Sequence, residues 1–374
     1  MFNILYFAHT GKQIGGGETQ LFWLLKHLNK NMFSPIVICP NSGEFSDLLK
    51  TLNIPVLTCY LPGWRRFISF KDFASLQLLK AISKYHIDLV HASDLWYNYY
   101  ALQVGRLLEI PTITHVRNII SPQNAHKYLF EHFNKIIAIS ERIKNNLVEG
   151  GIDTEKIHFI TDAVDLNEFK PNCNGNNVLR RDFQLNDKLI GLVGRIEPFK
   201  RQKDFVPVIA EVVKKYKDVS FLLIGDTLKK YDKYLRETIS AIRKYGIYKY
   251  VIWTGYRRDM PEVLNSLDIL VTLSGGSVTM EARACGKPVI MSDKAKQESL
   301  LQDDGTGMIR VPDNVGDISE AILRLLDDDQ LRMEIGKSGR RRAEDCYDVK
   351  KTSEYTQQIY KDLLGGMING DTTC

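Results

Sequence analysis

The stretch from Asp268 to Asp293, DILVTLSGGSVTMEARACGKPVIMSD, reads as an apolar run, a Ser-Gly-Gly-Ser turn, a short helix from Val278 and a second apolar run from Pro288. Gly275 and Gly276 carry no Cβ, so the backbone there can approach a ligand closely. The N–H groups of Ser277, Val278 and Thr279 stand at a helix start, where donors lack intrahelical partners and the dipole favours negative charge. Together they make a socket for an anion, a phosphate above all. Glu281 lies one position beyond the capping-box spacing from Ser277, and a carboxylate aimed at a phosphate would repel it. The sequence therefore predicts that Glu281 faces hydroxyls, as a ribose offers. An ordinary turn with a glycine pair and a first-turn glutamate fits the same residues, and both readings stand at this point.

A second group of chemically capable residues lies in GRIEPFKRQKDF, at the carboxyl end of the apolar run LIGLVG. Arg195 offers a fork and Lys200 a point charge, close enough to converge on one anion. Basic side chains at a helix start oppose its dipole, and a negative ligand supplies a reason for them. Arg201 and Lys203 read as solvating that helix start. His115 and His91 each fall near the end of a predicted strand, where a histidine is either a hydrogen-bonded loop residue or a catalytic one. Gly15, Gly16 and Gly17 occupy a strand-to-helix turn, without the G-x-G-x-x-G spacing of dinucleotide folds.

The elements that must position these residues are legible as alternating apolar runs and helix-period segments. Runs at 2–8, 35–40, 54–60, 88–93, 111–116, 136–140 and 157–164 form one series, and runs at 189–196, 219–226, 250–256, 268–273 and 288–293 a second. Each series predicts a parallel, doubly wound sheet covered on both faces, so the fold class is α/β with two facing Rossmann-like domains. The expected boundaries are 1–170 for the first domain, a polar, turn-rich linker at 171–187, and 188–349 for the second. An amphipathic helix at about 350–366 is expected to cross back to the first domain.

At 374 residues the chain suits two domains, and 44% hydrophobic with 25% charged residues is ordinary for a soluble globular protein. The formal charge of +5 is spread over both halves, which argues against a nucleic-acid partner. The six cysteines form no C-x-x-C pair and no zinc spacing, so the expectation is no metal and a reducing, cytoplasmic setting. The first residues lack the pattern of a cleaved leader, and no apolar run reaches the ~20 residues that span a bilayer. Two basic clusters, Arg65-Arg66 between Trp64 and Phe67, and Arg340 to Arg342, are solvated faces or contacts for anionic lipid headgroups. The aromatics Trp96 to Tyr100 are core residues or sugar platforms.

Taken together, GGGE at 15–18, LVH at 89–91, THVRN at 114–118, AIS at 138–140, DAVD-x3-F at 162–169, GRIEPFK at 194–200, WTGY at 253–256, MEARACGKPVI at 280–290 and IY at 359–360 resemble glycosyltransferase family 4. These are retaining nucleotide-sugar enzymes of the GT-B fold. The resemblance covers nearly the whole chain. It implies that backbone at Gly16 and Gly17 approaches the donor diphosphate, that Arg195 and Lys200 bind it with the amides near Gly276, Ser277 and Val278, and that Glu281 holds the ribose hydroxyls. It also implies that Tyr256 walls the nucleobase pocket, that His115 meets the donor sugar, and that neither metal nor cofactor is needed. The family commonly has a further glutamate eight residues before the second, and here that position is Leu273.

The implied reaction moves a sugar from a nucleotide diphosphate, UDP ahead of GDP, to a hydroxyl of a glycan or lipid-linked acceptor in cell-envelope polysaccharide or lipopolysaccharide synthesis. The setting is cytoplasmic, with an anionic membrane surface as a further partner. Two alternatives remain beside it, a nucleotide-sugar 2-epimerase and a nucleotide-sugar-binding protein impaired in catalysis.

Overall fold

The computed structural model describes residues 1–12, 14–63, 68–172, 177–294 and 306–370. The chain divides into two compact units, one of residues 1–162 with 349–374 and one of residues 163–348.

The first unit is built on seven strands, β1 (Phe2–Phe7), β2 (Phe33–Cys39), β3 (Val56–Thr58), β4 (Leu89–Ala92), β5 (Thr112–Val116), β6 (Lys135–Ala138) and β7 (Ile157–Phe159). Their order is β3-β2-β1-β4-β5-β6-β7, all neighbours parallel, with Leu5 of β1 opposite Ile36 on one side and Val90 on the other. Ile4 to Phe7 are all buried, as a central parallel strand covered on both faces requires. Helices α1 (Gly16–Lys26), α2 (Glu44–Lys50), α3 (Ile68–Ile82), α4 (Asn98–Leu108) and α5 (Glu141–Glu149) connect the strands.

The second unit repeats the plan. Strands β8 (Lys188–Val193), β9 (Val219–Ile224), β10 (Val251–Gly255), β11 (Ile269–Thr272), β12 (Val289–Ser292) and β13 (Met308–Val311) run parallel in the order β10-β9-β8-β11-β12-β13. Its helices are α6 (Val178–Phe183), α7 (Gln202–Lys215), α8 (Asp232–Lys244), α9 (Met260–Ser266), α10 (Val278–Ala284), α11 (Val315–Asp327) and α12 (Asp329–Cys346). Phe205, Ile209 and Val212 of α7 pack with Phe221 and Leu223 of β9 and Ile322 of α11 in one core.

The stretch expected to be a linker is in part a folded piece of this unit. Asn177 caps α6 through its side-chain oxygen, which accepts from the Arg180 N–H at 3.0 Å, and the Arg180 guanidinium reaches Asp268 at 3.0 Å. Leu179 is fully buried. A polar, turn-rich composition concealed a helix of barely two turns whose signal is one cap and three apolar residues, two of them buried. The second unit also begins at Ala163, ahead of the expected boundary.

The last helix, α13 (Val349–Gly370), belongs to the first unit. Ile359, Tyr360 and Leu364 join Ile4, Tyr6, Phe33 and Ile113 in that unit's core. The Tyr6 hydroxyl donates to the Tyr360 hydroxyl at 3.1 Å, and His91 Nδ1 lies 2.7 Å from that same hydroxyl. Tyr360→Ala should cost the first unit about 3–5 kcal/mol and Tyr360→Phe about 1–3 kcal/mol, read by urea unfolding. Hydrogen exchange should place the loss on β1 and β4 and leave β8 and β9 protected. Equal loss in both units would show that the helix is not specific to the first.

Candidate functional site

In the second sheet the strand order reverses between β8 and β11, and the crevice outside the carboxyl ends of such strands is where open α/β sheets bind ligands. Two loops leave the sheet there, 194–201 after β8 and 273–277 after β11. The first continues its pairing with the chain after β9: Gly194 N–H donates to Ile224 O and Ile196 N–H to Asp226 O, both at 2.9 Å. Gly194 and Gly225 hold φ of +147° and +139°. A Cβ on Gly225 would sit 2.3 Å from Gly194 O, and one on Gly194 would meet the Lys200 stem at 2.9 to 3.0 Å. The stem of Lys200 therefore lies over Gly194. Its far end stands at the other loop, where a Cβ on Gly276 would be 3.4 Å from Lys200 Nζ.

No carboxylate lies within 4.0 Å of that ammonium among the described residues. Burial holds the Lys200 pKa below its ordinary value, with Arg195 acting in the same direction against Glu197 and Glu281. Arg195 is exposed, its Nε 3.6 Å from the buried Glu197. Arg201 and Lys203, expected to solvate the helix start, are braces instead. Arg201 bonds Asp204 at 2.8 Å, Asp313 at 2.7 Å and the Leu273 carbonyl at 3.3 Å, and Lys203 bonds Glu237 at 2.8 Å. Of the cations from 195 to 203, Lys200 and Arg195 are those left to face a ligand.

The turn after β11 is held by Thr272, whose hydroxyl accepts from the Gly275 N–H at 2.9 Å. Gly275 and Gly276 hold φ of +66° and +112°, the region that favours glycine. One of the three expected donors is occupied: the Thr279 N–H goes to Gly276 O at 3.1 Å. Those of Ser277 and Val278 meet no protein acceptor among the described residues. Ser277 is itself helical, with φ −56° and ψ −31°, and makes no side-chain cap bond. Burial pushes Glu281 up to about 7; the Ser277 side chain opposes this, Glu168 adds to it and Lys200 opposes it.

Leu273 is 1% exposed and joins Ile269 and Val271 in the core, as strand alternation dictates. The position that carries a glutamate in the family is here a packing residue. Tyr256 is 53% exposed beyond β10, next to Gly255, whose carbonyl accepts from the Gly225 N–H at 3.0 Å.

In the first unit, the turn before α1 is closed by Glu18, which accepts from the Gly15 N–H at 3.0 Å. A Cβ at Gly16 would meet nothing within 4 Å and one at Gly17 only Arg117 Cδ at 3.9 Å, so no packing inside the unit requires glycine at either position. His115 is 6% exposed and stacks on His91, rings 5.6 Å apart and 10° from parallel. Burial, reinforced by the charge of Arg117, pushes His91 to about 3 and His115 well below its ordinary value. Both are neutral at physiological pH. His115 Nε2 has no protein partner, and the ring lines a cavity of about 20 Å³ with Arg117, Asp162 and Ser353, room for one water. As a neutral ring it can orient a hydroxyl but carries no spare proton.

Sequence reasoning gave no role to two residues here, Arg117 and Tyr360. Arg117 bonds Asp162 at 3.2 Å and the Ser93 carbonyl at 2.9 Å, and Tyr360 fixes His91. Both stood in motifs of the resemblance, Arg117 in THVRN and Tyr360 in IY, but nothing local pairs Tyr360 with His91, 269 residues away. Trp64 to Phe67 lie outside the described residues. Of the second basic cluster, Arg340 is a brace to the carbonyls of Phe169 and Ala284 at 2.8 and 2.7 Å. Trp96 is 47% exposed, whereas Tyr100 is buried and donates to the Pro62 carbonyl at 2.8 Å.

Residues 178–342 match the family model for glycosyl transferases group 1, and residues 14–168 that for Glycosyltransferase Family 4. The chain is 24% identical over 362 residues to the UDP-Gal:alpha-D-GlcNAc-diphosphoundecaprenol alpha-1,3-galactosyltransferase of Escherichia coli, spanning 90% of this chain and 91% of that protein. It is 25% identical over 339 residues to a GDP-mannose-dependent alpha-mannosyltransferase of Mycobacterium tuberculosis, spanning 81% and 84%. The crystal structure of Anabaena HepE in complex with UDP and glucose superposes with a TM-score of 0.83 over 97% of this chain and 100% of that one, at 22% identity.

The state of Glu281 is open to measurement. Between its ordinary value of 4.5 and about 7 the folded chain keeps a proton that the unfolded chain releases. Stability must therefore fall as pH rises through that window and level off above it. The melting temperature of the parent relative to Glu281→Gln should drop by several degrees from pH 5 to pH 7.5. A difference independent of pH would mean that the carboxyl is not perturbed.

Proposed function

The chain belongs to glycosyltransferase family 4, and from that membership we propose that it transfers a sugar from a nucleotide diphosphate to an acceptor hydroxyl with retention of configuration. The observation that carries the donor assignment is the Lys200 ammonium, partly buried, without a carboxylate partner, and delivered to a glycine turn with two open amides. A diphosphate satisfies all of them. Arg195 adds a second cation from the same loop, and Glu281, one turn into α10, takes the ribose hydroxyls. Tyr256 borders the nucleobase, the backbone at Gly16 and Gly17 approaches the diphosphate, and His115 meets the sugar as a neutral hydrogen-bonding ring.

The chemistry follows from where charge develops. As the bond from the anomeric carbon to the diphosphate oxygen breaks, that oxygen becomes more negative, so groups placed on it stabilise the transition state more than the ground state. An oxygen of the departing phosphate takes the proton of the attacking hydroxyl on the face from which it leaves. Lys200, Arg195 and the Ser277 and Val278 amides supply the positive field, so no metal is assigned to the step.

The relatives support the class and divide on the donor, one named for UDP-galactose and the other for GDP-mannose. UDP is placed first, because the relative matched over 91% of its length uses it and HepE was crystallised with it. The acceptor is placed among envelope glycans or their lipid-linked precursors, as the E. coli relative's diphosphoundecaprenol substrate suggests, and the reaction at the cytoplasmic membrane face. No helix among the described residues is long and apolar enough to cross a membrane. Leu273 in the core favours one competing reading, donor binding without transfer.

Thermal-shift titration with UDP, GDP and their sugar conjugates should give a rise with one nucleotide series. Lys200→Ala should lower the transfer rate about 10²- to 10³-fold, and Arg195→Ala about 10²-fold, both with intact folding. EDTA should leave the parent rate unchanged. Glu281→Ala should abolish the preference for UDP over its 2′,3′-dideoxy analogue while leaving pyrophosphate binding as it was. Tight nucleotide binding with no transfer to any extract of envelope glycans would select the binding-protein reading, and conversion of donor alone to an epimer would select the epimerase.

A further inference from the structure

The second unit carries a surface at the opposite end of its sheet from Lys200, and the proposed reaction makes no use of it. α8 leads from the carboxyl end of β9 back to the start of β10, so its last turn and the segment 245–250 lie at the amino ends of the strands. A groove of about 400 Å³ opens there beside the edge strand β10, lined by Ile239, Ile242, Arg243, Tyr248, Val251 and Trp253. Around it Arg243, Lys244 and Lys249 are all exposed, and none has a carboxylate within 4.0 Å among the described residues. The acids of α8 lie elsewhere: Asp232 opens the helix and Glu237 is held by Lys203 at 2.8 Å. Tyr245 and Tyr248 are 50% and 72% exposed.

We propose that this face docks the protein on an anionic lipid bilayer. The favourable effect of positive charge at a helix carboxyl end accounts for Arg243 and Lys244, and Lys249 stands over the Tyr250 ring at 4.9 Å, but neither accounts for two exposed tyrosines beside an apolar groove. A lipid surface accounts for all of them. Cations are drawn to the negative headgroup layer, tyrosine rings settle at headgroup level with the hydroxyl in water, and the apolar floor of the groove takes glycerol and upper acyl carbons beneath a phosphate on Arg243. Because the face lies at the amino ends of the strands, its occupation leaves the carboxyl-end loops that carry Lys200 and Gly276 uncovered within this unit.

The test is cosedimentation of the full chain with vesicles, a measurement independent of catalysis. Binding is expected to vesicles of phosphatidylglycerol mixed into phosphatidylcholine, to be weak or absent with pure phosphatidylcholine, and to fall as salt rises. Each cation near such a surface contributes about fivefold to partitioning, so Arg243→Ala/Lys244→Ala/Lys249→Ala should weaken binding about a hundredfold. That variant should keep the parent melting temperature and nucleotide-induced thermal shift. Tyr245→Ser/Tyr248→Ser should weaken binding at unchanged charge. The proposal is overturned if the chain ignores phosphatidylglycerol, binds both vesicle types alike, or binds undiminished in the triple variant. Loss of binding only on Arg65→Ala/Arg66→Ala, or displacement by millimolar glycerol phosphate, which would mark a pocket for a soluble anion, overturns it as well.

Discussion

A partly buried ammonium with no counter-ion is the constraint on which the second unit is arranged. Removing Lys200 from water costs free energy that its neighbours do not return, as its lowered pKa records. The position is reached because two glycines clear it. Gly194 lets the stem pass and Gly225 lets the Gly194 carbonyl approach the β9 loop, so that the ammonium stands beside Gly276 at the second turn. The other cations of the segment are tied off, Arg201 across to Asp313 and Lys203 to Glu237. Those ion pairs tie the start of α7 to the segment before α11 and to α8, and leave the local positive field on the two groups that are free of close acids or exposed.

Glu281 carries the complementary imbalance. It is held up to about 7 by burial and by the charge of Glu168, and the attraction of Lys200 does not reverse this. A ligand with an anion at one end and hydroxyls at the other relieves both costs, whereas a simple anion relieves the first and worsens the second. The pairing of an undersatisfied cation with an undersatisfied acid thus carries more information than either alone. Under the proposed function, that pairing is the reason to expect a phosphorylated polyol such as a nucleotide ahead of an inorganic phosphate.

The sequence carried most of the fold. Parallel strands buried on both faces appear as unbroken apolar runs, and β1 and β9 could hardly be anything else. The site was legible where backbone chemistry decides it: Gly276, Lys200 and Glu281 lie where the turn and loop types placed them. It was illegible where tertiary contact decides. Ser277 was expected as a cap, yet its backbone is helical and its side chain makes no cap bond. Arg201 and Lys203 were indistinguishable from Lys200 by type, because their acids, Asp313 and Glu237, come from distant segments. His115 was correctly set at a strand end, but its neutrality follows from burial against His91 and α13, which no local window contains. The polar linker concealed α6 because its apolar signal is only Val178, Leu179 and Phe183.

The two sheets share the order 3-2-1-4-5-6 and so share a reversal point, yet they fill it differently. In the first unit the strands flanking the reversal, β1 and β4, are stitched together past their ends. Ser93 bonds the Phe7 carbonyl through both its N–H, at 3.1 Å, and its hydroxyl, at 2.5 Å, and Arg117 closes over the Ser93 carbonyl. Its buried histidines are neutral, so the crevice presents a hydrogen-bonding surface with little net field from them. In the second unit β8 and β11 diverge into two glycine turns, and the space between them receives a cation in place of a hydrogen bond. One topology therefore yields a polar, neutral wall in one copy and a charged socket in the other. The difference resides in a handful of residues beyond the strand ends: serine and arginine where the gap is stitched shut, and glycines where a lysine must pass.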